Sequence, residues 1–129
     1  HGVIYDFIKK LKANPQELIV LGNGEPNKPY LYVKDLVEGM LFVCNNAHDR
    51  FNVYNLGSYS RTKVKEIAQL VIEEMGLNAT IKYTGGDRGW IGDVPEFKYD
   101  LSKINQLGWE AKISSNDSVR LAIQKALGK

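Results

Sequence analysis

The strongest fold signals lie in one segment, Leu18-Ile19-Val20-Leu21-Gly22-Asn23-Gly24-Glu25-Pro26-Asn27-Lys28-Pro29-Tyr30-Leu31-Tyr32-Val33-Lys34-Asp35-Leu36. Its apolar run at 18–21 predicts a strand, and the glycines at 22 and 24 predict a loop after that strand. An aromatic and β-branched run at 30–33 predicts a second strand. Asp35 predicts the start of a helix, because its carboxylate can accept a hydrogen bond from a free backbone amide.

The flanking sequence alternates between helix and strand signals. Apolar residues at spacings of three and four predict a helix over 3–13. The same reasoning predicts further helices at 36–44, 64–75, 102–107 and 116–127, strands at 53–56 and 80–83, and a short extended piece at 96–99. The chain is therefore predicted to be α/β, that is mixed α and β, with short strands and about five helices in one domain.

The composition excludes several classes of function. The 17 basic and 15 acidic residues are scattered along the chain, so no basic arm for nucleic acid is expected. Cys44 is the single cysteine, which excludes an internal disulfide and favours a reducing, cytoplasmic setting. No apolar run is long enough to span a membrane. The chain starts at His1 with an apolar helical pattern at once, and we interpret it as a fragment of a longer polypeptide.

Tyr5 and Lys9 lie four residues apart, a spacing at which a catalytic tyrosine and its lysine partner share a helix face. The pair flanks the apolar stripe of a lysine-rich helix, and two residues at a fixed spacing often occur by chance. We therefore interpret it as a solvated helix edge. The sequence contains no recognisable Ser/His/Asp set and no metal-ligand cluster.

Two glycine-rich segments, 22–24 and 85–92, could let the backbone approach a phosphate closely. Neither has the strand, three-glycine turn and helix of a dinucleotide site, so both are also compatible with ordinary turns. In the second segment, Arg88 could bind a diphosphate and Asp93 could accept hydrogen bonds from a ribose. Alternatively, Arg88 and Asp93 pair with each other and Trp90 covers the core; their spacing does not decide between the two.

The opening stretch resembles a segment of the NAD-dependent epimerase/dehydratase family, written as an apolar strand, G-D-G-x-Q-x-R, then F/Y-x-Y-V-x-D-L/V. Four further matches keep the family's order: Val53-Tyr54-Asn55-Leu56-Gly57-Ser58, Arg88 to Pro95 with Gly92-Asp93-Val94, Asp100-Leu101-Ser102-Lys103, and Leu107-Gly108-Trp109. The five matches cover essentially the whole chain. They indicate a similarity to the extended short-chain dehydrogenases, of which UDP-glucose 4-epimerase is a well-known member.

The resemblance implies roles for two groups of residues in binding a nucleotide sugar. Ile19 and Leu21 would offer backbone groups to the base, and Tyr30 would lie near the sugar.

The resemblance assigns the diphosphate and ribose to three polar residues. Lys28 would face the diphosphate where the family usually has arginine, and Arg88 and Asp93 would address the diphosphate and the ribose. Two departures from the family are visible. A lysine ammonium cannot make the planar two-point contact of arginine, and the family's spacing would put its second arginine where Trp90 stands, two positions after Arg88.

The resemblance also implies the place of the chain in a larger enzyme. Residues 1–129 would be one C-terminal nucleotide-sugar-binding domain, a fragment from which the Rossmann domain with the catalytic Tyr-x-x-x-Lys is missing. We expect NAD in the full-length parent, no cofactor on this fragment, and no activity from the fragment alone. In the family, residues 53–56 pair into the Rossmann sheet, so an exposed strand edge and a homo-oligomer are expected here.

The reaction of the parent is expected to be a UDP-glucose 4-epimerase-like isomerisation of a UDP-sugar or related nucleotide sugar. A dehydratase or decarboxylase on the same scaffold remains open, because the residues that separate these reactions lie outside this sequence. A free-standing binding or interaction module without enzymatic activity is the alternative from another class. No nucleic acid or membrane partner is implied.

Overall fold

The computed structural model describes residues 2–129, so His1 and the interpretation of it as a cut end lie outside the described residues. The described chain contains the following elements: α1 (Val3–Ala13), β1 (Glu17–Val20), β2 (Asn27–Lys28), α2 (Val33–Asn46), β3 (Thr62–Lys63), α3 (Val64–Glu74), β4 (Thr80–Tyr83), α4 (Ser102–Leu107) and α5 (Ser115–Ala126). The predicted mixed α and β class, with five helices and short strands, is confirmed.

The strands form two separate pairs. β1 runs parallel to β4, with Leu18 opposite Ile81, whereas β2 runs antiparallel to β3, with Asn27 opposite Lys63. In β1 the side chain of Leu18 is buried and that of Ile19 is half exposed, as the two-residue period of a strand requires when one face is covered. The parallel pair therefore presents one face to the core.

The main core lies between the parallel strand pair and three helices, α1, α3 and α5. Its buried side chains are Phe7, Ile8, Leu11, Leu18, Val20, Ile67, Ala68, Val71, Ile72, Val119 and Ile123. A second, smaller cluster consists of Leu101, Ile104 of α4 and Trp109, and it packs against Phe42 and Val43 of α2. Within residues 2–129, no helix is long and apolar enough to cross a membrane.

Several predicted elements are confirmed with their end signals. α1 covers the predicted residues, and β1 and β4 lie where apolar runs predicted strands. α3 is followed by Gly76 at φ +65° and α4 by Gly108 at φ +115°, so both helices end at a glycine in the left-handed conformation.

The strand predicted at 30–33 is wrong. A strand requires a neighbour for its backbone hydrogen bonds, and the amide of Tyr30 instead donates to Ser115 Oγ at 3.0 Å. The only strand in this part of the opening stretch is β2, two residues earlier, and the chain becomes helical from Val33. The aromatic and β-branched residues at 30–33 therefore form an irregular segment that leads into a helix, and not a strand.

The strand predicted at 53–56 is also absent, because the described chain offers it no neighbouring strand. A side chain bonds one of its carbonyls instead, since Lys103 Nζ donates to the Val53 carbonyl at 2.8 Å. The segment's own Asn55 side chain donates from Nδ2 to the Asp100 carbonyl at 3.3 Å. The extended piece predicted at 96–99 reduces to one bridge between Asn27 and Glu96.

Two predicted helix caps have other roles. α2 begins at Val33, two residues before Asp35, so Asp35 lies inside the first turn and its buried carboxylate accepts from the amides of Lys112 and Ile113. α5 is capped by Ser114, not by Asn116, and Ser114 Oγ accepts from the amide of Asp117 at 3.1 Å. Each helix begins one or two residues before the predicted cap. Asp35 does bond backbone amides, although distant ones, whereas Asn116 Oδ1 accepts from the Thr62 hydroxyl and does not cap α5.

Candidate functional site

The candidate site is a cavity of about 770 Å³ beside the carboxyl ends of the parallel strands. In open α/β sheets, ligands bind outside the carboxyl ends of the strands, where the connecting loops diverge. The lining consists of Gly2, Val3, Asp6, Phe7, Lys10, Leu21, Pro26, Lys28, Tyr30, Val64, Gly89, Trp90 and Asp93. The cavity thus draws on α1, on the loop after β1, on β2 and on the loop after β4.

The two glycine-rich loops are held together at their first residues. The amide of Gly22 donates to Thr84 Oγ1 at 2.9 Å, and the amide of Gly85 donates to the Gly22 carbonyl at 3.0 Å. Gly22 has φ +81°, and a Cβ at this position would lie 2.8 Å from the Arg88 carbonyl oxygen. Only glycine allows the backbone of the second loop to lie this close to the first.

Lys28 and Asp93 form an ion pair inside the cavity. Lys28 lies on β2, and the loop that carries Asp93 is tied to the same strand by the Asn27 amide, which donates to the Pro95 carbonyl at 2.7 Å. Their side chains are 25% and 10% exposed. The pair is therefore partly shielded from water, and each charge neutralises the other in the free chain.

Tyr30 presents its phenol next to this pair. Burial raises the pKa of Tyr30, and the negative charge of Asp93 raises it further. The backbone of Tyr30 is fixed by its hydrogen bond to Ser115 Oγ, and Ser115 in turn bonds Thr62, both side chains being fully buried. The Tyr30 phenol is therefore protonated and can donate a hydrogen bond, and the backbone that carries it is fixed.

Four of the six residues selected from the sequence line the cavity: Leu21, Lys28, Tyr30 and Asp93. Ile19 and Arg88 do not. Ile19 is half exposed on β1, where its carbonyl accepts from Lys10 Nζ at 3.1 Å. Arg88 turns its backbone towards Gly22, and its half-exposed guanidinium lies 3.7 Å from Asp87.

The alternative interpretation of the second loop is wrong in both parts. Asp93 pairs with Lys28 and not with Arg88. Trp90 does not cover the core, because it is 67% exposed and lines the cavity. The interpretation of Tyr5 and Lys9 as a helix edge agrees with the structure, since both are exposed on α1 and neither lines the cavity.

Sequence reasoning missed the contribution of α1 to the site. Asp6 and Lys10 line the cavity and form an i, i+4 ion pair at 2.7 Å. Their spacing was the available signal, but charged pairs on a helix surface are common and do not indicate a cavity. Among residues 2–129, no three His, Cys, Asp or Glu side chains are placed to hold a metal ion.

Comparison with known proteins identifies the family. The family model described as GDP-mannose 4,6 dehydratase matches residues 1–122. The chain belongs to the NAD-dependent epimerase/dehydratase family. Three structures that share this fold at 16–19% identity, with TM-scores of 0.71–0.75, were solved with NAD or NADPH: a dTDP-glucose 4,6-dehydratase from Bacillus anthracis, a UDP-glucuronic acid 4-epimerase from Bacillus cereus and RMD from Pseudomonas aeruginosa.

Two Arabidopsis thaliana members of the epimerase/dehydratase family illustrate the range of curated relatives. GDP-L-fucose synthase 1 is 31% identical over 104 residues, which are 81% of this chain and 31% of the relative. UDP-glucuronic acid decarboxylase 1 is 31% identical over 119 residues, which are 91% of this chain and 26% of the relative. The chain thus spans about a third or less of the length of these relatives.

Two solved epimerases of the epimerase/dehydratase family have the same fold. A UDP-galactose 4-epimerase structure matches with a TM-score of 0.83 and 33% identity, over 99% of this chain and 40% of that one. A UDP-glucose 4-epimerase from Thermotoga maritima, solved with UDP-glucose, matches with a TM-score of 0.78 and 27% identity, over 98% of this chain and 40% of that one.

Proposed function

We propose that this chain is the nucleotide-sugar-binding domain, residues 1–129, of an NAD-dependent epimerase similar to UDP-glucose 4-epimerase. One observation carries the proposal: Leu21, Lys28, Tyr30 and Asp93 line the same cavity. A cavity of about 770 Å³ is within the usual size of small-ligand sites. An apolar wall, a cation, a phenol and a carboxylate are complementary to the base, diphosphate and hydroxyl groups of a nucleotide sugar.

Lys28 is the residue that we assign to the diphosphate. Its ammonium is engaged by Asp93 in the free chain, so the ligand exchanges one anion for another at the same cation. A diphosphate carries more negative charge than one carboxylate, which favours the exchange. Asp93, once released from Lys28, accepts hydrogen bonds from the ribose hydroxyls.

Tyr30, Ile19 and Arg88 complete the proposed set. The Tyr30 phenol stays protonated and donates a hydrogen bond towards the sugar. Ile19, together with Leu21, contributes backbone groups to the base. Arg88 reaches the diphosphate by rotation of its exposed side chain away from Asp87.

NAD, bound by another part of the full-length protein, supplies the hydride chemistry. The described residues do not fit a dinucleotide, because β1 leads into β2 and β4 leads into the long loop before α4, with no glycine-rich turn that opens a helix. We therefore assign no hydride step to these residues. They bind and orient the nucleotide sugar.

The test of the proposed function is calorimetric titration of UDP into variants of the full-length protein. Lys28→Ala should weaken UDP binding by at least about tenfold, equivalent to about 1.4 kcal/mol. The reason is that the diphosphate loses its cation and meets the unpaired carboxylate of Asp93. Arg88→Ala should also weaken binding by about tenfold if its side chain rotates as proposed.

Lys82→Ala is the matched control for Lys28→Ala. Lys82 pairs with Glu17, is mostly exposed and lies outside the cavity lining, so its loss should leave UDP binding unchanged. Normal binding by Arg88→Ala alone would remove Arg88 from the site. Normal binding by Lys28→Ala as well would contradict the nucleotide-sugar site.

A GDP-sugar substrate is a second candidate, favoured by the family model and by the GDP-L-fucose synthase relative. Titration of GDP beside UDP separates the two, and a product assay with each nucleotide sugar separates epimerase from dehydratase or decarboxylase. A free-standing binding module is the alternative to the three enzymes, epimerase, dehydratase and decarboxylase. It predicts nucleotide binding without NAD-dependent turnover by the full-length protein.

A homo-oligomer is the proposed assembly. On α2, four apolar side chains are about half exposed or more: Val33, Val37, Met40 and Leu41. Val53 is 63% exposed. Exposed apolar side chains along one helix usually mark a contact with another protein surface.

A further inference from the structure

Trp90 is a large aromatic residue placed where a polar turn would suffice. It lies in the glycine-rich loop after β4, 67% of its surface is exposed, and it lines the cavity. Exposing an indole forgoes the free energy that its burial would provide. A ligand that covers the ring would recover that free energy.

The indole is held in position by its own loop. A Cβ on Gly92 would lie only 2.2 Å from Trp90 Cζ3, so the six-membered ring rests directly on the Gly92 backbone. The amide of Asp93 donates to the Trp90 carbonyl at 3.0 Å and closes this turn. The ring is therefore supported on one side before any ligand binds.

The loop places Trp90 next to the other groups of the cavity. Gly89, the preceding residue, lies against Leu21: a Cβ on Gly89 would be 3.6 Å from the Leu21 carbonyl oxygen and 3.8 Å from its Cβ. The same position is 3.8 Å from Asp93 Oδ2. The residue before Trp90 thus lies between Leu21 and Asp93, and the indole lines the same cavity as Leu21 and the Lys28–Asp93 pair.

We propose that Trp90 stacks on the base of the bound nucleotide, with Leu21 beside it, while Lys28 engages the diphosphate. The proposal rests on the proposed function and adds the residue that recognises the nucleoside end of the ligand. A flat π surface beside an aliphatic side chain and a diphosphate-binding cation is complementary to a nucleoside diphosphate. Because every base has a π face, stacking contributes affinity without selecting between uracil and guanine.

The test compares ligands with and without a base on the full-length protein. Trp90→Ala should weaken UDP and GDP binding by at least about tenfold each, because stacking on an aromatic side chain is lost. Trp90→Phe should recover most of the affinity for both nucleotides. Inorganic pyrophosphate should bind equally well to the unsubstituted protein and to Trp90→Ala, because it offers no base to the indole. Its affinity is measured by its displacement of bound UDP.

Two further variants control for effects on the loop. Ile91→Ala removes a neighbouring side chain that is 96% exposed and outside the cavity lining, so UDP binding should not change. Gly92→Ala pushes the indole off its support and should weaken UDP and GDP while leaving pyrophosphate unaffected.

The outcomes separate this inference from the proposed function. If the parent binds neither UDP nor GDP, both are overturned. If the parent binds a nucleotide and Trp90→Ala binds it equally well, only the stacking role is overturned. A parallel loss of pyrophosphate affinity in Trp90→Ala would also overturn it, because the substitution would then act through the loop that carries Asp93.

Discussion

At the scale of single residues, Asp35 joins two distant parts of the chain. Its buried carboxylate accepts from the amide of Lys112 at 2.9 Å and from that of Ile113 at 3.4 Å. The sequence identified Asp35 as a partner of backbone amides, but periodicity carries no information on contacts 77 residues away. Local chemistry was therefore predictable, and the partner was not.

We expect Asp35→Ala to lower the free energy of unfolding by on the order of 1–3 kcal/mol, because two backbone donors lose a charged acceptor. Urea unfolding measures the change. Glu38→Ala is the control on the same helix, since Glu38 makes an exposed ion pair with Lys112, and its loss should cost no more than about 0.5 kcal/mol. Equal effects of the two substitutions would contradict the role assigned to Asp35.

At the scale of elements, helices were more predictable than strands. A helix satisfies its own backbone hydrogen bonds, so apolar spacing and a terminal glycine located α3 and α4 closely. A strand depends on a neighbour, and the segments at 30–33 and 53–56 have no neighbouring strand in the described chain. Residue composition indicates that a segment is suited to a β-strand. It does not indicate whether another strand lies beside the segment to accept its hydrogen bonds.

The cap of α5 gives a prediction at this scale. Ser114→Ala removes the side chain that accepts from the Asp117 amide, and we expect a loss of about 1 kcal/mol in the free energy of unfolding. Thermal and urea unfolding should agree on this value. Lys125→Ala, near the other end of the same helix, should change stability by less than about 0.5 kcal/mol.

At the scale of the whole molecule, the site is assembled from segments that are far apart in sequence. The family resemblance predicted that residues 21, 28, 30 and 93 share one site, and these four line the same cavity. The part played by α1 and the pairing of Lys28 with Asp93 depend on how the loops pack across the parallel strands. Neither motifs nor spacing describe that packing.

Glu25 gives a prediction about the pH dependence of the whole fold. Its ion pairs with Lys63 and Lys65 tie the loop after β1 to the start of α3, and hydrogen bonds from these two ammonium groups lower the pKa of Glu25 from 4.5 to about 2. A pKa lowered by folding contributes stability above the unfolded value. This contribution is complete above about pH 4.5 and is lost as the pH falls towards 2.

Thermal unfolding between pH 6 and pH 2 checks this expectation. The melting temperature of the unsubstituted protein should fall more steeply below pH 4.5 than that of Glu25→Gln, which has no carboxylate to protonate at this position. Parallel curves for the two proteins would show that the ion pairs with Lys63 and Lys65 do not stabilise the fold.

The ion pair between Lys28 and Asp93 has a consequence for the rate at which a ligand arrives. Two opposite charges in contact form a dipole whose field falls off faster with distance than that of a single charge, and the chain as a whole carries a formal charge of only +2. An approaching anion is therefore attracted weakly until it reaches the cavity mouth. In the proposed site, encounter is therefore governed by diffusion and geometry, and the Lys28 ammonium acts after contact, when the diphosphate displaces the carboxylate.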